Sequence, residues 1–240
     1  MKANERHQLK QNEFANTAAR VAEAAAANRQ RIILALGGVA VVVALLSGFL
    51  WWRGRSANEA GAALGVAMAT AQSEVVPAPT LPGATQQPGT FPTEQARTEA
   101  TLKAFNDVVT RFPGTDAAMA AQYQAAAELL AAGKTGEAET AFAAVVARAG
   151  NGFYAPLAKL GQAQAMLAAG KTAEGLAIIS ELSANRDGAL PVDGLLMELG
   201  KASVKAGKPA EARAAFKRVV DEFPDSMYTA DAQQRLAALN

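Results

Sequence analysis

Hydrophobic and polar positions divide the chain into stretches of different period. Residues 1–31 form a polar tail. From Ile32 to Trp52 the sequence reads IILALGGVAVVVALLSGFLWW, apolar on all sides and bracketed by Arg31 and Arg53. Ser56 to Glu74 then places Ala60, Leu64, Ala67 and Ala71 on one helical face. Residues 75–93 hold Pro77, Pro79, Pro82, Pro88 and Pro92, which forbid a helix and predict an extended linker or enlarged turn. From residue 94 to 240 the pattern repeats.

The repeat is carried by three strings, each 37 residues after the last: Gly133-Lys134-Thr135-Gly136-Glu137-Ala138, Gly170-Lys171-Thr172-Ala173-Glu174-Gly175 and Gly207-Lys208-Pro209-Ala210-Glu211-Ala212. Phe142, Ile179 and Phe216 share the spacing, and one period earlier stands Phe105. So do Val108, Val145, Leu182 and Val219, and so do Ala126, Ala163, Gly200 and Ala237. A fixed period of this size marks a solenoid, whose units bury their faces against their neighbours. Each Gly suits the left-handed end of a helix. Thr135 and Thr172 are candidate caps for the next helix, and Pro209 fits a first turn. Glu137, Glu174 and Glu211 lie where the helix dipole favours a negative charge. The predicted unit is helix, tight turn, helix, with the column at Ala126, Ala163 and Gly200 allowing close crossing. The predicted fold class is therefore all-α: a single N-terminal transmembrane helix followed by an α-solenoid of helix pairs.

Composition agrees. The soluble stretches are rich in Ala, Glu, Gln, Lys and Leu, which favour helix, and Val and Ile concentrate in the apolar run. There is no Cys, which excludes disulfides, thiolate metal sites, Cys nucleophiles and lipid anchors on Cys. The one His, His7, lies in the tail.

The apolar run spans 21 residues, or roughly 32 Å as a helix, about the hydrocarbon thickness of a bilayer. Its Leu, Ile, Val and Phe side chains contribute on the order of −4 to −7 kcal/mol on the insertion scale. A buried core helix is the bland alternative, and a cleaved signal peptide the sharper one. Against the signal peptide stand the long preceding tail, the long apolar run, and Arg53 and Arg55 where small cleavage-site residues belong. The reading is an uncleaved anchor over 32–52. Lys2, Arg6, Lys10, Arg20, Arg29 and Arg31 precede it, against Arg53 and Arg55 after it, which predicts a cytoplasmic N-terminus and an external C-terminal domain. Trp51 and Trp52 suit the interface belt. Ala40, Ala44 and Gly48 form a row of small residues compatible with helix contact, though such rows arise readily in Ala-rich spans.

The helix containing Phe105 lacks a first-helix partner, because the Pro-rich stretch occupies that place. Ser56–Glu74 supplies one under one reading, and is a free stalk under the other.

Counted from Gly133, Ala138 and Phe142 fall five and nine residues later, as in the tetratricopeptide consensus, which the strings resemble. Pro113 and Pro224 match its inter-repeat proline. Gly175 replaces the expected Ala, Gly150 and Asp187 replace Pro, and the period is longer than usual. The segments Arg111-Phe112-Pro113-Gly114-Thr115 and Glu222-Phe223-Pro224-Asp225-Ser226 look like repeats of bacterial envelope proteins. The whole order (basic tail, anchor, short helix, repeats) resembles the periplasmic ancillary subunit family of the SecYEG translocon. That resemblance implies the bacterial inner membrane, a periplasmic repeat domain, and translocon subunits, secreted polypeptides or periplasmic chaperones as partners. A scaffold for envelope-assembly or cell-division complexes is the alternative.

Chemistry is sparse. The Gly-Lys-Thr strings lack the glycine and strand of a phosphate loop, with Glu128 and Ala165 in the glycine's place. No Ser-His-Asp set is possible outside the tail, and the acidic residues form no motif, so the chain reads as a non-enzyme with no cofactor, no metal and no small-molecule substrate. Without a clustered basic face it reads as no nucleic-acid binder. What a stacked array offers is a concave protein-binding surface. Its candidate groove residues are Tyr123, Leu160, Gln164, Met197 and Lys201, beside Ala127; the bland alternative is that Tyr123, Leu160 and Met197 are core. The basic, Asn-containing clamp of eukaryotic chaperone-binding repeats is absent from these positions. The final helix, Ser226 to Leu239, reads as a polar cap.

Overall fold

Three glycines in the left-handed region set the architecture. In the computed structural model, which describes residues 29–79 and 85–239, Gly133, Gly170 and Gly207 have φ of 73°, 81° and 70°. Each ends its helix with the same two hydrogen bonds. The Gly133 and Lys134 amides donate to the Leu130 and Leu129 carbonyls, those of Gly170 and Lys171 to Leu167 and Met166, and those of Gly207 and Lys208 to Val204 and Ser203. This double closure satisfies carbonyls that a helix end leaves without partners.

The described residues form α1 (Arg29–Ala71), α2 (Glu94–Arg111), α3 (Asp116–Ala131), α4 (Thr135–Ala149), α5 (Tyr154–Ala168), α6 (Thr172–Ala184), α7 (Val192–Lys205), α8 (Pro209–Glu222) and α9 (Thr229–Ala238). From α2 onward each helix packs on the next, and α3 also touches α5. The pairs α3/α4, α5/α6 and α7/α8 are the three repeats, and α9 stands alone after the last.

The helix starts correct one expectation. Thr135 and Thr172 do not cap α4 and α6. The tight turn leaves room for only one residue after each glycine, so Lys134 and Lys171 take the cap position and each Thr falls inside the helix. Pro209 opens α8 as expected. Side-chain caps occur at Thr93 and Thr115, whose hydroxyls accept from the Ala96 and Ala118 amides at 3.1 Å. Both follow less regular segments, where a cap can be placed freely.

The core is built from large side chains seated on small ones. Phe142 and Phe216 are fully buried, and each such ring contributes roughly 1.5–3 kcal/mol by leaving water. A Cβ on Gly161 would lie 2.4 Å from the Phe142 ring, and one on Gly200 would lie 2.4 Å from the Phe216 ring. Phe142 therefore packs on α5 of the next pair as well as on Tyr123 of its own, and Phe216 packs on α7 of its own pair as well as under Arg235 of α9. Gly175, which replaces the consensus Ala, sits where a Cβ would meet Leu167 Cγ at 2.7 Å and the Ala163 carbonyl at 2.9 Å.

Two units are distinguished, residues 1–55 and 56–240. In the first, Ile33, Leu34, Leu36, Val39, Val41–Val43, Leu45, Leu46, Phe49 and Leu50 are all exposed. α1 is one helix long and apolar enough to cross a membrane by length and composition. In the second unit, Ala60 and Ala67 of α1 are buried in one cluster with Phe105, Val108 and Phe112 of the α2 region and Ala121 and Ala125 of α3. The stretch from Ser56 therefore contributes small side chains to this first core cluster.

The Pro-rich connection is fastened at its base. Val75 and Phe91 form a parallel bridge, the Val76 amide donates to the Phe91 carbonyl at 2.9 Å, and the Phe91 amide to Glu74 at 3.0 Å. Gln86 Nε2 donates to the Val76 carbonyl and to Thr90 Oγ1 at 2.9 and 2.8 Å. The tail 1–28 of the basic segment 1–31, with His7, and residues 80–84 of the linker lie outside the described residues.

A candidate protein-binding groove

The first helices of successive pairs carry the candidate groove. Tyr123, on α3, is half-buried. Its ring meets Phe142 edge-on at 5.7 Å and Tyr154 at 5.6 Å. Burial pushes the Tyr123 phenol above its ordinary value, and the neighbouring Tyr154 adds to the rise. It belongs to the α3–α5 packing cluster as much as to a surface. Leu160, on α5, is half-buried. Met197, on α7, is 1% exposed and packed with Leu196, Phe216 and Ala232, so it is a core residue and faces no groove. The repeat column predicts its position along the helix correctly, but its register on α7 turns it inward.

Gln164 and Lys201 do come together. They line an open groove of about 680 Å³ between α5, α7 and α9, with Leu167, Glu198, Lys205 and Arg235. Gln164 Nε2 donates to Glu198 Oε1 at 3.1 Å, which ties α5 to α7 across the groove floor. Arg235 is held by Asp231, Nε to Oδ1 at 2.9 Å. Glu198 and Lys205 carry no mark in the sequence reading, and Arg235 belongs there to the polar cap and not to the groove. Lys205 had a signal, because it follows Lys201 by one helical turn and the same column holds Ala131 and Ala168 in the earlier repeats.

No set of catalytic form is assembled here: the groove offers amide, carboxylate, ammonium and guanidinium groups around an apolar floor. It can hold a polypeptide segment by packing and by polar contacts.

An open array of antiparallel helix pairs, each closed by a left-handed Gly-Lys turn, is a tetratricopeptide-like α-solenoid, a class that serves as a protein-interaction scaffold. The sequence profile of the tetratricopeptide repeat-like domain matches residues 26–240, and the chain belongs to that family. The kinesin-light-chain nearly identical TPR-like repeats of Podosopora anserina superpose with a TM-score of 0.52 at 18% identity, over 61% of this chain and 79% of theirs. A single-substitution variant of those repeats superposes with a TM-score of 0.51 at 19% identity, over 61% and 78%. At that identity the likeness is one of fold. No curated protein matches the sequence.

Proposed function

We propose that this chain is a membrane-tethered protein-binding adaptor on the periplasmic side of the bacterial inner membrane, serving the Sec translocon, secreted chains or periplasmic chaperones. The observation that carries it is the order within one chain: a helix holding an apolar run of membrane length, then interaction repeats with an open groove. In this reading 32–52 spans the bilayer, 1–31 is cytoplasmic, and the repeats bind protein without catalysing a reaction. The resemblance to the translocon-associated family supplies the neighbourhood.

The envelope-scaffold reading drew on the two Phe-Pro segments. Phe112 closes α2 and lies in the first core cluster, and Phe223 closes α8 and packs on the last. Both are used inside the fold, so neither speaks for a scaffold partner.

Photo-crosslinking from groove positions of the full chain in native membranes tests the adaptor reading. The expected products contain translocon subunits, secreted polypeptides or periplasmic chaperones. Products confined to division-site proteins, with septal localisation of a tagged chain, would transfer the assignment to the scaffold. A reporter fused after Asn240 should be active only outside the cytoplasm; cytoplasmic activity alone would reverse the topology.

A further inference from the structure

Most cations of the solenoid are already engaged. Arg97, Lys103, Lys159, Lys171, Arg186, Lys208, Lys217, Arg218 and Arg235 form ion pairs with carboxylates. Arg148 donates to Gln122, Arg213 to the Leu239 carbonyl, and Arg111 lies over the Phe112 ring. Among the described residues from Ser56 onward, Lys134, Lys201 and Lys205 alone have no such contact. Two of these three share one groove.

Lys201 and Lys205 stand four apart on α7, the spacing at which like charges repel by roughly 0.2–0.5 kcal/mol. The nearby carboxylate, Glu198, lines the same groove and accepts from Gln164, with no ion pair to either lysine. Lys205 lies in the last turn of α7, where the helix dipole favours a cation; that accounts for Lys205 and leaves Lys201 unexplained. The preceding repeats hold Ala127 and Gln164 at the Lys201 position and Ala131 and Ala168 at the Lys205 position, so the repeat framework does not require either charge. Beside the pair the groove wall is apolar, with Leu167, Ala202 and a 44% exposed Val204.

We infer that the α5–α7–α9 groove binds an acidic peptide segment of a protein partner, with its carboxylates on Lys201 and Lys205 and a small apolar side chain against Leu167 and Val204. A carboxylate between the two ammonium groups removes their repulsion and forms charge-assisted hydrogen bonds on both sides. The apolar wall requires a side chain beside the acid, which selects a peptide over a free anion. The inference rests on the reading that the repeats bind protein and adds what they select.

The test uses the full chain in non-ionic micelles and a short fluorescein-labelled peptide of glutamate, alanine and leucine, followed by fluorescence anisotropy. The wild type should bind it. Lys201→Glu with Lys205→Glu should weaken binding at least about tenfold, the scale of losing one to two kcal/mol of charged contact. Lys201→Gln with Lys205→Gln should weaken it in the same direction, with the helical spectrum and unfolding midpoint preserved. Lys134→Glu, the unpaired lysine outside the groove, should leave binding unchanged, and a glutamine-for-glutamate peptide should not bind. Unchanged binding by both double variants, or no binding by the wild type, overturns the inference. So does displacement of the peptide by inorganic phosphate alone, which would mark a general anion site. Crosslinks to translocon-associated proteins that persist in the double variants would sink the groove assignment and leave the adaptor standing. Peptide binding without such crosslinks would do the reverse.

Discussion

The two halves of the repeat array share a backbone and differ in what they seat and what they show. In the α3–α5 half, Phe142 seats on Gly161 of the following pair, and the surface nearby is aromatic, with Tyr123 against Tyr154. In the α7–α9 half, Phe216 seats on Gly200 of its own pair, and the groove carries Lys201 and Lys205. The Gly-Lys turn is the same in both. The period therefore fixes where helices end and seats each buried ring between its own pair and the helix that follows. Groove positions are free of both constraints, and there the repeats diverge.

Removing the rings should separate these roles most strongly. Phe142→Ala and Phe216→Ala each empty a fully buried site and should each cost about 3–5 kcal/mol in urea unfolding. In a solenoid, stability is a sum of unit and interface contributions. Phe142→Ala weakens the cluster shared by α3, α4 and α5, so loss of amide protection should concentrate in those helices. Phe216→Ala weakens the last pair itself, so loss of amide protection should concentrate in α7–α9. Identical unfolding profiles for the two variants would erase the distinction.

Adding a methyl group is the gentler probe. Gly161→Ala and Gly200→Ala each place a Cβ 2.4 Å from a fully buried ring. Overpacking of this kind costs about 1–3 kcal/mol, despite the gain of a better helix former. Gly136→Ala, in the first turn of α4 with open space around it, should be neutral or stabilising. A stabilised Gly200→Ala would show that Phe216 has room to retreat, and that the contact is looser than its distance implies.

Which parts of this were legible in the sequence follows from which forces repeat. The turns were readable because only glycine takes the left-handed conformation cheaply, so Gly133, Gly170 and Gly207 recur where the backbone demands them. The large core side chains Phe105, Phe142, Ile179 and Phe216 were readable for the same reason, as each unit needs one. The Thr135 and Thr172 caps misread the turn because residue preference was applied one position too far along. For Met197 the core alternative holds, and the choice stayed open because a helix places core and groove residues only one or two positions apart, and a single sequence does not fix the rotation of α7. The seat at Gly161 was visible only as a Leu160-Gly161 pair early for the consensus, because it departs from the Ala126–Ala163–Gly200 column. The lysine pair was half visible: Lys201 was marked by its column, whereas the ion-pair partners that leave it free lie on other helices and depend on tertiary structure.

The smallest expected effect sharpens the aromatic side of the comparison. The fold holds the Tyr123 phenol above its ordinary value of 10.0, chiefly through burial. The protonated form is therefore favoured in the folded state. In the window just above the unfolded value the unfolded chain releases this proton first, so it binds fewer protons than the native state and stability falls as pH rises. The contribution is fully present below pH 10.0 and is lost as pH rises through the folded value. Unfolding midpoints of the full chain should decline more steeply above that pH than those of Tyr123→Phe, which keeps the ring contacts with Phe142 and Tyr154 and removes the proton. The two curves should run together at neutral pH. Parallel curves through the alkaline range would mean that the hydroxyl reaches water freely, and that the Tyr123 ring faces the groove rather than the packing between α3 and α5.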